Sequence, residues 1–304
     1  MSPEIERAAA ILRAGGLVAF PTETVYGLGA DSANPDALRR LYAVKGRPSD
    51  HPVIVHVARA EQLDELALDV PEVARVLAEA CWPGALTLVV RKRPAGVADE
   101  ATGGLPTVGI RVPDHPIACA LLEAFGRGVG APSANRFGKV SPTTAQHVRD
   151  DLGPDVDLVL DGGPCTVGLE STIVDVTGAE PVILRVGGVS EERIAALVGR
   201  RLARRTAGEI PAPGTRSSHY APKARVEVIS AAGAAERAAV LRSNGVRVGV
   251  LEIDTGPAQY ARVLYARLRE ADVEGLDVLL AVAPDDDGGI GSAVLDRLLR
   301  AAAR

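Results

Sequence analysis

Lys45 and Arg47 stand two residues apart, with His51 and His56 close behind and Pro48 and Pro52 between them. In an extended chain two such cations point to opposite sides, but in a turn stiffened by proline they converge. Converging fixed cations hold anions, so a phosphate or a carboxylate is the ligand such a pair would take. The pair also follows the helical spacing of Leu38, Leu41, Tyr42 and Val44. It therefore leaves a helix C-terminus, where cations complement the dipole without any ligand. The residues alone leave both readings open.

Other polar groups occur in similar settings. Thr22, Glu23 and Thr24 precede Gly27 and Gly29 in a loop-like segment, a place for the backbone to approach a ligand. Thr107, Gly109 and Arg111 alternate with Val108, Ile110 and Val112, which predicts a strand with one apolar and one charged face. Arg111 is then a carboxylate clamp or a structural ion-pair partner, and His56, in a strand-like run, a ligand or a core histidine. Residues 130–135 are small and end in Ser133 and Asn135, while Ser141 to Thr144 opens a helix with hydroxyls and proline, as a cap or as an anion site. No Walker loop or dinucleotide glycine fingerprint occurs, and Ser133 lacks a nucleophile elbow. Cys81, Cys119 and Cys165 are scattered and read as reduced thiols, and Asp285 to Asp287 reads as a solvated turn, so neither a covalent nucleophile nor a metal cage is expected.

The 304 residues exceed what one core usually organises, so two domains are expected. Strands and helices alternate with short connections up to about residue 200, with helices expected over 60–68 and 71–80. This predicts a mixed twisted α/β sheet with flanking helices. Residues 201–224 have linker composition yet hold His219 and Tyr220. Residues 225–304 restart as strand and helix in alternation, a small parallel sheet. Hydrophobic residues make up 47% and charged residues 24%, as in soluble proteins. Aromatics at 3% and a net charge of −5 argue against base stacking and global attraction to nucleic acid, leaving only a local RNA contact open. Glu4 and Glu6 break any signal-peptide order and no apolar run is long enough to span a bilayer, so a cytoplasmic chain without membrane association is expected.

Phe20 to Gly29, Lys45-Gly-Arg-Pro48, Val55-His56, Trp82-Pro-Gly84, Gly109-Ile-Arg111, Ala131-Pro-Ser-Ala-Asn135, Ser141-Pro-Thr-Thr144, Gly168 to Ile173 and Ile183 to Gly187 together resemble the threonylcarbamoyl-AMP synthase family. The resemblance runs strongly over about residues 4–200. His219-Tyr220-Ala221-Pro222 and residues 225–304 resemble the accessory domain of its longer members, with Gly214-Thr215 departing from an expected Gly-Met. It implies a YrdC-like catalytic domain over 1–200, a linker over 201–224 placed to cover the active site, and a small Rossmann-like parallel α/β domain over 225–304.

The implied reaction joins L-threonine, bicarbonate or carbon dioxide, and ATP with Mg²⁺ into threonylcarbamoyl-adenylate, releasing pyrophosphate. The product passes to the tRNA threonylcarbamoyl transferase machinery. By the same resemblance Lys45, Arg47, Ser133 and Asn135 are catalytic. Thr24, His56, Arg111, Ala131 and Ser171 hold L-threonine. Arg47, His51, Thr107, Ser133, Ser141, Arg185 and Tyr220 hold ATP. No protein ligands for the metal are assigned.

Overall fold

The computed structural model of the chain describes residues 2–205, 220–284 and 288–303. His219, Gly214-Thr215 and the turn at Asp285 to Asp287 lie outside the described residues. Among those described, the first sheet holds β1 (Val18–Phe20), β2 (Gly27–Asp31), β3 (Ile54–His56), β4 (Ala67–Leu68), β5 (Leu86–Lys92), β6 (Thr107–Arg111), β7 (Val129–Gly130), β8 (Leu158–Val159), β9 (Thr172–Asp175), β10 (Val182–Arg185) and β11 (Ala203–Arg204). Their spatial order is β11-β10-β9-β5-β6-β3-β7-β2-β1-β8, with β4 hydrogen-bonded to β5. Parallel pairs such as β3 with β6 stand beside antiparallel ones such as β5 with β6, so the sheet is mixed as expected. A second sheet, wholly parallel, orders β12 (Arg225–Ile229), β14 (Val278–Val282) and β13 (Val248–Leu251).

The helices are α1 (Pro3–Arg13), α2 (Pro35–Lys45), α3 (Gln62–Leu66), α4 (Glu72–Cys81), α5 (Asp99–Thr102), α6 (Pro116–Phe125), α7 (Ala145–Leu152), α8 (Glu191–Val198), α9 (Ala231–Ser243), α10 (Pro257–Val273) and α11 (Gly291–Ala302). In α2, Asn34 accepts from the backbone N–H groups of Asp36 and Ala37, a cap worth about 1 kcal/mol. Gly46, at φ +63°, ends the helix, so Lys45 is its last residue and the cations leave its C-terminus as the spacing predicts. Ala37, Leu38, Leu41 and Tyr42 are buried against the sheet. With α1 and α6 packed on other strands, the apolar faces are covered and the strand ends are left to form a site.

Two segments differ from their patterns. Residues 60–68 divide into α3 and β4, because Ala67 and Leu68 pair with Lys92 and Arg91 and that pairing overrides the helical pattern. The segment around Gly27 and Gly29 is the strand β2 and not a loop. Its glycines meet crowding: a Cβ at Gly29 would lie 2.8 Å from Val129 and 2.9 Å from Phe20. The strand β11 also carries the first sheet past residue 200.

The two sheets are joined by side chains from α10 and α11. Gly168, at φ +80°, lets α10 lie against it, since a Cβ there would be 2.6 Å from the Ala261 carbonyl oxygen. Arg262 Nε donates to the Thr166 carbonyl at 3.0 Å and Arg269 Nη2 pairs with Asp151 at 2.6 Å. Among the described residues no helix is long and apolar enough to cross a membrane.

Candidate active site

A cleft of about 560 Å³, counting its open mouth, lies at the ends of β2, β3 and β6 and beside β9 and β10. Nine expected residues line it: Thr24, Arg47, His56, Arg111, Ala131, Ser133, Ser171, Arg185 and Tyr220. They come from segments far apart in sequence, and strand register brings them together. β3 and β6 run parallel with Ile54 beside Gly109 and His56 beside Arg111.

At one end the Arg111 guanidinium is held on three sides. Nε donates to the Gly84 carbonyl at 3.0 Å, Nη1 to Thr24 Oγ1 at 2.9 Å, and Nη2 forms an ion pair with Glu23 at 2.6 Å. A guanidinium has five N–H donors, so this geometry fixes the fork and leaves donors over for a carboxylate. Glu23, which also accepts from the Asp114 backbone N–H at 3.1 Å, was not among the expected residues. Its proximity to the Thr24 position was the available signal.

His56 packs its ring edge-on to Phe20, centroids 5.9 Å apart, and its Nδ1 has no hydrogen-bond partner among the described residues. Burial, helped by the Arg111 charge, pushes its pKa down to about 3, so the imidazole is neutral near pH 7. In the unfolded chain it titrates near 6.5, so the native state binds fewer protons between the two values. The stabilisation from keeping His56 neutral is complete above pH 6.5 and is lost as pH falls toward 3, about 2 kcal/mol by pH 5. His56→Asn should therefore lose less stability than the wild type between pH 7.5 and pH 5, read from urea midpoints. Equal losses would show that His56 does not carry that slope.

Ser171 lines the cleft beside Arg185. Its hydroxyl lies 2.7 Å from Thr87 Oγ1 and accepts from Arg185 Nη2 at 3.1 Å, while its carbonyl accepts from Arg185 Nε at 3.0 Å. The Ala131 backbone N–H donates to the Ile54 carbonyl at 2.9 Å, which sets its methyl as a small wall. Arg47 is half-buried, and its Nη2 donates to the Pro52 carbonyl at 2.9 Å.

Five expected residues do not line the cleft. Lys45 is buried, and its ammonium donates to the carbonyls of Ser133 and Asn135, both at 2.5 Å. Burial and the Arg47 charge push its pKa well below the usual lysine range. Asn135 is buried too, donating to the carbonyls of Arg136 and Lys139 at 2.9 Å. These two shape the loop that presents Ser133.

His51 stacks edge-on with Phe137 at 5.7 Å. Thr107 opens β6, where it pairs with Arg91 of β5, two residues before Gly109 and four before Arg111 on the same strand face. Ser141 does not cap a helix: Thr144 accepts from the His147 N–H, and the Ser141 hydroxyl donates to Glu170 at 2.8 Å.

Glu170 lines the cleft and joins its wall to α10 and α11. Besides Ser141 it accepts from the Tyr265 hydroxyl, at 2.8 Å to Oε2, and from Arg297 Nε at 2.9 Å. Burial raises its pKa, but Arg297 and Arg185 outweigh that and hold the carboxyl at about 2. Tyr220 is buried at φ +66°, stacks on Tyr265 at 5.5 Å, and carries the Arg297 guanidinium 5.3 Å above its ring. A bulky residue in the left-handed region is strained, and such strain persists where packing over-determines it. Glu170, Tyr265 and Arg297 were not expected at the cleft. Glu170 stood within the Gly168 to Ile173 motif, and Arg297 broke the apolar stripe of α11.

The family model described as "Telomere recombination" matches residues 10–187, and that described as "Threonylcarbamoyl-AMP synthase, C-terminal domain" matches residues 189–303. A Bacillus subtilis threonylcarbamoyl-AMP synthase is 41% identical over 99% of this chain and 93% of its own length. One from Schizosaccharomyces pombe is 35% identical over 98% and 88%. The crystal structure of Pyrococcus abyssi Sua5 complexed with L-threonine superposes with a TM-score of 0.92 at 41% identity, covering 98% of this chain and 94% of that one.

Proposed function

The chain belongs to the threonylcarbamoyl-AMP synthase family, and we propose that its cleft carries out that synthesis with the Arg111 end taking L-threonine and the Arg47 end taking ATP. It is an L-threonylcarbamoyladenylate synthase: it forms threonylcarbamoyl-adenylate from L-threonine, bicarbonate or carbon dioxide, and ATP, for modification of tRNA. The observation that carries the site reading is the held Arg111 fork beside a neutral His56, with the further cations Arg47 and Arg185 lining the same cleft.

In this reading Arg111 binds the threonine carboxylate, and Thr24 and Ser171 offer hydroxyls beside the small Ala131 wall. The amine adds to carbon dioxide, forming a C–N bond and releasing a proton. His56, pushed down to about 3, is too weak a base to keep that proton, so it orients the amine and the proton leaves to solvent. A carbamate oxygen then attacks the α-phosphorus, and the bond to the β-phosphate bridging oxygen breaks, releasing pyrophosphate. Both reactants are anions, and fixed cations aligned beforehand lower their repulsion without a protein nucleophile. Arg47, Arg185 and the Ser133 loop serve the phosphates, with His51, Thr107, Ser141 and Tyr220 around the nucleotide.

Mg²⁺ enters with ATP as part of the substrate. The carboxylates that border the cleft, Glu23 and Glu170, are engaged by Arg111 and Arg297, which suits a metal held by the phosphates and water. We take residues 1–200 as catalytic, 201–224 as linker and 225–304 as accessory, in a cytoplasmic protein whose product feeds the tRNA threonylcarbamoyl transferase machinery. Pyrophosphate release is the test. It should require L-threonine and bicarbonate together, and release from ATP that ignores threonine would reject the assignment.

A further inference from the structure

Glu170 places a carboxylate on the wall of a cleft read as taking a triphosphate, which by itself would repel the ligand. Its partner comes from the other end of the chain: Arg297, on α11, lies 127 positions away, is fully buried, and donates Nε to Glu170 Oε2 at 2.9 Å. The rest of the Arg297 fork is anchored. Nη2 donates to the Val186 carbonyl at 3.0 Å, one residue beyond Arg185, and Nη1 pairs with Asp296. The same guanidinium lies over the ring of Tyr220. On α11 the buried positions Ala293, Val294, Leu298 and Ala301 form an apolar stripe, and Arg297 is set within it. A cation is costly on such a face unless it meets an anion, and here that anion belongs to the nucleotide end of the cleft.

We propose that Arg297 is a positioning residue for ATP: by pairing with Glu170 it cancels the carboxylate charge at the nucleotide end and holds Tyr220 against the wall, which makes α11 part of the catalytic unit. This rests on the reading that ATP occupies the Arg47 and Arg185 end. Removing the guanidinium bares a buried negative charge near the phosphates. Removing both charges restores neutrality, although the contact with Arg297 is gone.

The test measures ATP binding by calorimetry, without threonine, on the full-length chain. Because no turnover is needed, a failure of the reaction reading appears separately, as pyrophosphate release that ignores threonine in the wild type. Arg297→Met should weaken ATP binding roughly tenfold at pH 8 while L-threonine binding changes by less than about threefold. The double variant Glu170→Gln with Arg297→Met should recover ATP binding to within about threefold of the wild type. ATP binding by Arg297→Met as tight as in the wild type would overturn the proposal, and so would a double variant as weak as the single one. If Arg297→Met does not fold, the double variant decides alone: ATP binding within about threefold of the wild type supports the proposal, and binding weakened roughly tenfold or more overturns it.

Discussion

Replacing Arg47 by alanine is expected to lower threonine-dependent pyrophosphate release about 10²- to 10³-fold, the usual cost of losing one preorganised electrostatic group. The unfolding midpoint should stay within a degree or two of the wild type. Arg47 leaves the end of α2, is half-buried, and lines the cleft while its Nη2 is steadied by the Pro52 carbonyl. Carbamate and ATP must approach as two anions, and a guanidinium fixed before they arrive lowers the repulsion without reorganising during the reaction. Arg47→Lys keeps the charge but not the planar fork and should recover part of the rate. The assay compares kcat/KM for ATP at saturating threonine and bicarbonate with a thermal melt. Turnover of Arg47→Ala within threefold of the wild type would remove Arg47 from the site.

Much of this site could be read in the sequence because short segments leaving strand ends carry it. Thr24, Arg47, His56, Arg111, Ser133 and Ser171 stand beside glycines, prolines or strand boundaries, and the register of β3 on β6 then sets His56 beside Arg111. The mixed first sheet and parallel second sheet were legible for the same reason, since apolar runs and breaks mark strands and turns. The strand β2 was not, because glycines demanded by crowding against Val129 and Phe20 look like glycines demanded by a turn. The pairing of Glu170 with Arg297 was hidden because periodicity says which face of α11 is buried but not what that face meets 127 positions away. Ser141 illustrates the same limit: its hydroxyl suits a cap or an anion, yet in the fold it donates to Glu170.

Lys45→Ala should cost activity and stability together, unlike Arg47→Ala. The residue type says cation, but the fold turns its ammonium inward onto the carbonyls of Ser133 and Asn135, while its own carbonyl accepts from the Phe137 N–H at 2.7 Å. Lys45 thus ties the end of α2 to the loop that presents Ser133. Alanine would take a charged donor from both carbonyl oxygens, leaving that of Ser133 with the Asn135 N–H at 3.0 Å, a loss of about 1 to 3 kcal/mol for each. The summed loss of about 2 to 6 kcal/mol should lower the midpoint by several degrees or more, at roughly 2 to 4 °C per kcal/mol. Activity should fall at least as far as in Arg47→Ala, because a loop shift of about 1 Å is enough to cost 10²-fold. Lys45→Met, which fills much of the same space without a donor, separates the causes. If burial of the stem is what matters, Lys45→Met regains stability and rate together; if the two hydrogen bonds hold the loop, it stays as slow as Lys45→Ala. A Lys45→Ala chain that melts with the wild type yet has lost turnover would instead return Lys45 to direct contact with the phosphates.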